Sequence, residues 1–461
     1  MSPWAGKMAI QGYSKSEFGE ELARVLSPAR PISSIEKLYG REIELETIER
    51  SLYQPGRHVF IYGDRGIGKS SLAATAAYQY HNSETSPIFV GGSCDETFKS
   101  IIANIANKAM SISRFVNTKK TSNFGFEWKG VKFNSGIETN SKDIASQIQG
   151  VGDAADLLDQ ISKVLPQKTV IVIDEFDAIP DLDDRNKFAF LLKQLGDQDI
   201  NIRFIFTGIA KSIDELLGAH QSAYRQLETI ELANLSWDAR YELVKNAMSH
   251  FNITMPDDIN WRIAMICAGY PYYIHLIAEK ILWEVFSDAE LVDQVSLDHY
   301  GRGLNSAVRS VTAELRKPYE IAVIHRSEEY EDVVWSTADT DDLLRPLSEM
   351  RKSYEAIILK RRKSSSINAT TYSQCIRNLK NEKFGAILIP LIGRKGWYGF
   401  RENMLRGFIR LQAAANGIEL NGSYKIPKQT MRATVNARSG TYGPTIPYGV
   451  NVNRRINDEN D

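Results

Sequence analysis

Residues 58–80 read "HVFIY", "GDRGIGKSS" and "LAATAAYQY" without a break. Five apolar residues predict a buried strand, and the alanine-rich segment predicts a helix over 69–81. The loop joining them carries Gly63, Gly66 and Gly68, followed by Lys69 and Ser70, and fits GxxxxGK[ST]. Glycine lets such a loop curl until its N–H groups face inward, and the helix N-terminus adds its positive dipole end. This is a cradle for phosphate oxygens. Gly63, Asp64, Arg65, Gly66, Ile67, Gly68, Lys69, Ser70 and Ser71 are therefore the expected nucleotide-binding loop. Lys69 is expected to reach the β- and γ-phosphates of ATP, and Ser70 to give an oxygen to Mg²⁺.

The surrounding pattern repeats the alternation. "PIFVGG", "TVIVIDEFDAI", "NIRFIFTG" and "LETIEL" read as further strands, separated by segments of helical spacing. Near-continuous apolar strands between helices predict a parallel sheet covered on both faces, hence an α/β core over 35–235. The strand at 169–174 ends in Asp174 and Glu175. Asp174 is placed beside the metal and Glu175 to orient an attacking water, so the pair favours hydrolysis over binding alone. Thr207, closing the next strand, is expected to polarise that water or sense the γ-phosphate, the alternative being a helix cap. Arg225, before the last strand, is either an ordinary surface residue or a cation supplied to a neighbouring subunit's site.

Outside the core, residues 1–34 predict a short helix and a proline-stiffened linker. An insertion at 114–150 contains "NFGFEWKGVKFNSGIE", whose alternation is that of a two-stranded hairpin. Two readings are open: a lid on the core's edge, or an arm toward another subunit or DNA. Residues 236–315 read as a helical lid. Residues 316–416 read as helices followed by strand, glycine-flanked turn and strand, the order of a winged helix. The tail 417–461 lacks periodicity and is expected to be disordered.

No run approaches the ~20 apolar residues of a membrane span, and the N-terminus lacks the pattern of a secretory signal. Cys94, Cys267 and Cys375 are widely spaced and match no disulfide framework or zinc site, so a cytoplasmic protein without a membrane partner is expected. The net charge of -1 conceals segregation: residues 345–415 hold 15 Lys and Arg against 4 Asp and Glu. A basic winged helix suits phosphate neutralisation. The candidates for double-stranded DNA are Lys360, Arg361, Arg362 and Lys363, then Arg377 and Lys380 on the following helix, and Arg394 and Lys395 at the wing tip. Asn368, Thr370, Thr371, Ser373 and Gln374 at that helix's start are further candidates. The alternative is a module that packs within the chain, its cations merely solvated.

"LYGREIELETIE", "GDRGIGKSS", "IVIDEFD", Thr207, Arg225, a helical lid and a winged helix occur in one order. In this the chain resembles AAA+ P-loop ATPases of the origin-recognition branch and the related STAND and archaeal-type ATPases. The resemblance implies that Tyr39, Gly40 and Arg41 lie near the adenine and that Arg225 is an arginine finger. It also implies ATP and Mg²⁺ as cofactors and a homo-oligomer formed through the ATP site. Initiators carry a lid arginine at the γ-phosphate. Here the matching "GYPYYIHL" is a GxP pattern closer to STAND proteins, which implies Pro271 near the base and leaves His275 a buried structural residue. Three functions stay open. One is an ATP-driven switch assembling on DNA in defence, transposition or replication. Another is a STAND-like signalling ATPase with a protein or phage-derived trigger and a separate effector protein. The last is a regulator that binds nucleotide without turnover.

Overall fold

The computed structural model describes residues 10, 12–27, 38–81, 86–117, 125–134, 141–165, 169–209, 225–361 and 366–420. The chain divides into two units, Met1–Gly422 and Ser423–Asp461. The second, with nearly all of the expected tail, lies outside the described residues.

Five strands form one parallel sheet: β1 (His58–Tyr62), β2 (Ile88–Gly91), β5 (Thr169–Asp174), β6 (Ile202–Gly208) and β7 (Leu227–Glu231). They lie in the order β2-β5-β6-β1-β7. The first four read as mainly apolar runs because helices cover both faces, whereas β7, at the sheet's edge, is Leu-Glu-Thr-Ile-Glu. Val59, Ile61, Val172 and Ile205 point into one apolar core, and Phe60, Ile171, Ile173 and Phe206 into the other. The parallel register brings the ends of β1, β5 and β6 to one edge, with Ile61 opposite Thr207 and Ile173 opposite Phe206. Loops at that edge hold ligands in open α/β sheets.

The insertion hairpin pairs β3 (Gly125–Trp128) with β4 (Val131–Asn134). Its tip lies on its own core: Trp128 is buried, its indole N–H donates to Asp156 at 2.8 Å, and Lys129 pairs with Asp153. For the tip, the structure follows the covering reading.

The N-terminal helix Lys15–Val25 starts at a capping box of Ser14 and Glu17. It lays Phe18 on Phe286 and Trp283, with ring centroids 4.2 and 4.9 Å apart. Four lid helices follow β7: Trp237–His250, Asp257–Ile266, Pro271–Phe286 and Leu297–Ser310. Beyond them come helices Ala313–Val323 and Glu328–Thr337, then β8 (Leu344–Pro346), and helices Leu347–Lys360 and Ala369–Asn378. The unit closes with β9 (Leu388–Pro390), β10 (Trp397–Phe400) and helix Leu405–Ala415. These three strands form an antiparallel sheet ordered β8-β10-β9. β8 was not expected, because three residues carry no period to read. Among the described residues no helix is long and apolar enough to cross a membrane. The cysteines Cys94, Cys267 and Cys375 are all free.

Candidate nucleotide site

Gly66 and Gly68 adopt φ of 75° and 98°, the left-handed region that other residues enter at a cost. Gly68 there caps helix Lys69–Tyr80, leaving the helix's first N–H groups directed at the loop. A cavity of about 780 Å³ opens in front of them, a size suited to a small-molecule ligand. Gly66, Gly68, Lys69, Ser70 and Ser71 line it from the loop, and Asp174, Glu175, Asp177 and Thr207 from the ends of β5 and β6. Pro271, Tyr272 and His275 close it from the lid, and Ser27 from the N-terminal segment.

The polar groups are already joined. Ser70 Oγ donates to Asp174 Oδ1 at 2.9 Å, and the Thr207 hydroxyl donates to the same oxygen. Thr207 Oγ1 in turn accepts the Glu175 N–H at 3.1 Å, so it holds both acids in place. The helix-cap alternative for Thr207 does not describe these bonds. Lys69 Nζ donates back to the carbonyls of Gly63 and Asp64 at 3.0 and 2.7 Å. Burial holds its pKa below the usual lysine value, against Asp177, Asp174, Asp64 and Glu175, which raise it. Among the described residues no cluster of three or more His, Cys, Asp and Glu could hold a metal ion. Ser70 and Asp174 instead supply a pair of hard oxygens, the small protein share that Mg²⁺ takes beside phosphates and water.

Of the remaining expected residues outside the phosphate loop, Pro271 and His275 line the cavity and the others do not. Arg41 is buried and donates to Ala233 O at 2.6 Å and Ile67 O at 3.3 Å, so it braces the loop from behind. Gly40, at φ 64°, lies against Ala239 of the lid, where a Cβ would overlap that side chain. Tyr39 is half-buried beside the same core. Pro271 approaches Gly68. His275 is buried at the cavity wall, its Nδ1 accepting the Ser27 N–H at 3.4 Å. Arg225 is exposed and precedes β7, at the sheet edge opposite the phosphate loop. It does not line the cavity.

The C-terminal unit reaches the loop as well, which no local pattern announced. Asn403 Nδ2 donates to Asp64 Oδ2 at 2.8 Å, and Tyr270 OH donates to the same oxygen at 3.2 Å. Burial, with Asp64 beside it, pushes the Tyr270 hydroxyl well above its usual pKa. A Cβ on Gly66 would overlap Met404 Sδ. Arg65 pairs with Glu314 at 2.5 Å. Glu314, Glu402 and Met404 also line the cavity.

On the expected DNA face, Arg394, Lys395 and Arg377 are exposed, Lys380 is half-buried, and Arg362 and Lys363 lie outside the described residues. Lys360 is exposed, with its amine on Glu419 O at 2.6 Å. Asn368 caps its helix by accepting the Thr371 N–H at 2.8 Å, and Ser373 bonds back to Ala369 O. Thr370, Thr371 and Gln374 are exposed. Arg361 is a correction to the sequence reading. Its guanidinium lies 4.0 Å from the Trp335 ring centroid and pairs with Asp332 at 3.1 Å and Glu331 at 3.2 Å. The buried Asp332 and the half-buried Glu331 hold it inside the unit, away from a phosphate-contacting face. Arg345, Arg406 and Arg410 are likewise buried on internal partners, so part of the basic excess is structural.

Residues 37–205 match the AAA ATPase domain family, a span that includes the phosphate loop and β5. No curated protein matches the chain significantly. Among solved structures the chain is similar to the Walker-type ATPase paby2304 of Pyrococcus abyssi, at 16% identity over 83% of this chain and 99% of that one, with a TM-score of 0.50. It is also similar to the Aeropyrum pernix ORC2 protein in ADPNP–ADP complexes, at 12% identity over 85% and 98% of the two chains, TM-score 0.46. A further similarity is to the Aeropyrum pernix ORC1 protein in complex with DNA, at 15% identity over 82% and 93%, TM-score 0.42. At these identities the likeness is one of fold. Fold, site and the match over residues 37–205 agree on an ATP-hydrolysing enzyme.

Proposed function

We propose that this ATPase is an oligomeric switch that acts on double-stranded DNA through a C-terminal winged helix. The observation that carries the reading is the exposed basic edge of that unit. Arg377 on helix Ala369–Asn378 and Arg394 and Lys395 on the β9–β10 turn are exposed, whereas the unit's other arginines include four bound inside. The order helix, strand, helix, helix, strand, strand with the β8-β10-β9 sheet supports the winged-helix assignment. At the nucleotide, Lys69 would hold the β- and γ-phosphates, Ser70 and Asp174 would hold Mg²⁺, and Glu175 would orient the water, with Thr207 positioning both acids. Mg²⁺, when bound, supplies charge neutralisation at the phosphates. Arg225, at the opposite sheet edge, suits a site completed by a second copy. Defence, transposition and replication are all roles open to such a switch.

The test is ATP hydrolysis with and without double-stranded DNA at one moderate salt concentration. DNA should stimulate the wild type. The Arg394→Ala/Lys395→Ala double variant should lose the stimulation, and its salt slope for DNA binding should fall by about 2, one per phosphate contact removed. Hydrolysis indifferent to DNA, with no DNA binding, would overturn the reading.

The contact of Asn403, Met404 and Glu314 with the phosphate loop favours a second reading. In it the C-terminal unit clamps the nucleotide until a protein or phage-derived trigger releases it, and a separate effector protein delivers the output, as in STAND-type signalling.

A further inference from the structure

Three acids leave the end of β5, and only one of them is engaged. Asp174 accepts from Ser70 and Thr207. The carboxylates of Glu175 and Asp177 line the same cavity and, among the described residues, make no hydrogen bond or ion pair. Phe176 lies between them and explains why both face the site. Its ring is fully buried, edge-on to Phe60, Phe188 and Phe206 at 5.9, 5.5 and 5.3 Å. Glu175 takes φ 54°, and the short 3₁₀ turn Phe176–Ala178 is closed by Ala178 N–H on Glu175 O at 2.9 Å. With Phe176 pinned inward, its two neighbours are turned out together. Asp177 Oδ1 then lies against Gly208, 3.2 Å from where a Cβ there would stand, directly after Thr207. Asp177 is also the foremost acid acting on the Lys69 ammonium, ahead of Asp174. It therefore faces the same cavity as Lys69, beside the end of β6.

We propose that Asp177 is a second catalytic carboxylate, sharing with Glu175 the water that attacks the γ-phosphate. This rests on the hydrolytic reading of the site. A water held by one acceptor can still rotate, whereas two acceptors hold both O–H bonds and aim a lone pair at phosphorus. As the water oxygen bonds to phosphorus, the bond to the β–γ bridging oxygen breaks and its electron pair leaves on ADP. One proton passes to Glu175 and then to solvent. The other stays on the released phosphate, having been hydrogen-bonded to Asp177.

The experiment compares full-length wild type with Asp177→Ala, Asp177→Asn, Glu175→Gln and the Asp177→Ala/Glu175→Gln pair. Steady-state ATP turnover is measured together with ADP affinity by calorimetry. Asp177→Ala should lower kcat by about 10–100-fold, toward the low end of what one proton-handling group contributes. KM and ADP affinity should stay within about twofold, because the defect lies in the attacking water. Asp177→Asn, which keeps an acceptor oxygen, should recover part of the loss. The pair should be no slower than Glu175→Gln alone, since both residues serve one water. The proposal is overturned if Asp177→Ala turns over at the wild-type rate, if the two losses multiply, or if ADP affinity falls together with kcat. Absence of turnover in the wild type itself would remove the hydrolytic reading and the proposal with it, an outcome distinct from all of these.

Discussion

Lys69 holds two of its own loop's carbonyls, those of Gly63 and Asp64, where a polyphosphate would otherwise lie. Replacing it with Ala should weaken ATP binding at least ~100-fold, the ~3 kcal/mol of a charge-assisted contact, as calorimetry would read. Burial has lowered its pKa, and phosphates would raise it again. Between those two values binding takes up a proton, so affinity should fall as pH rises through that alkaline window and stay flat below it. Calorimetry in two buffers of different ionisation enthalpy would detect the uptake. This residue was legible because the motif's spacing is local and its chemistry follows from residue type. Asn403 was not: it meets Asp64 across 339 positions, and nothing near either residue points to the other. Asp177 falls between the two cases. The third acid of "DEFD" is visible, but its direction depends on Phe176 being held in the aromatic cluster.

At the scale of elements, β1, β5 and β6 are runs that announce themselves, since burial on both faces demands apolar residues almost throughout. Their first residues obey a different rule. His58 opens β1 fully buried, Nδ1 accepting the Phe204 N–H at 3.1 Å and Nε2 without a partner among the described residues. Burial, with Arg203 beside it, lowers its pKa from 6.5 to about 3. The imidazole is neutral when folded and protonates in the unfolded chain below 6.5. Stability is therefore flat above that pH and falls as pH drops toward 3. Between pH 6.5 and pH 5 the loss should be about 2 kcal/mol, at ~1.4 kcal/mol per unit, in denaturant unfolding. His58→Gln keeps an acceptor for Phe204 and should flatten that part of the pH profile. No reading of "HVFIY" as an apolar strand anticipates this, because the cost comes first from the complete burial of an ionisable ring, with a neighbouring strand's arginine adding to it.

For the whole molecule, the clearest gap between sequence and structure concerns charge. A count of cations cannot tell a guanidinium facing water from one held by internal acids or carbonyls, and Arg345, Arg361, Arg406 and Arg410 are of the second kind. The C-terminal unit rests on the phosphate loop through Asn403, whose amide bonds a carboxylate. Asn403→Ala should make release of that contact about 10-fold more frequent, the ~1.5 kcal/mol of one hydrogen bond to a charged acceptor. Hydrogen exchange at the amides of residues 63–70 would report it, and unchanged protection would mean the contact holds nothing closed. Asn403 cannot leave alone, however. Arg410 is buried with one guanidinium, donating to Met265 O of the lid at 2.6 Å and Ala338 O of the C-terminal unit at 2.8 Å. Tyr273 OH of the lid donates to Met404 O at 2.8 Å. Parting lid from C-terminal unit would break the bonds to Met265 and Met404 and uncover the apolar core the two share. The two are thus joined into one arm, which continues from the sheet through Leu232–Leu235. A chemical cross-link within the arm would be silent, whereas one from Asp64 to Asn403 would lock the lever. Any step taken at the phosphates would then arrive at the β9–β10 turn lengthened by the reach of the arm.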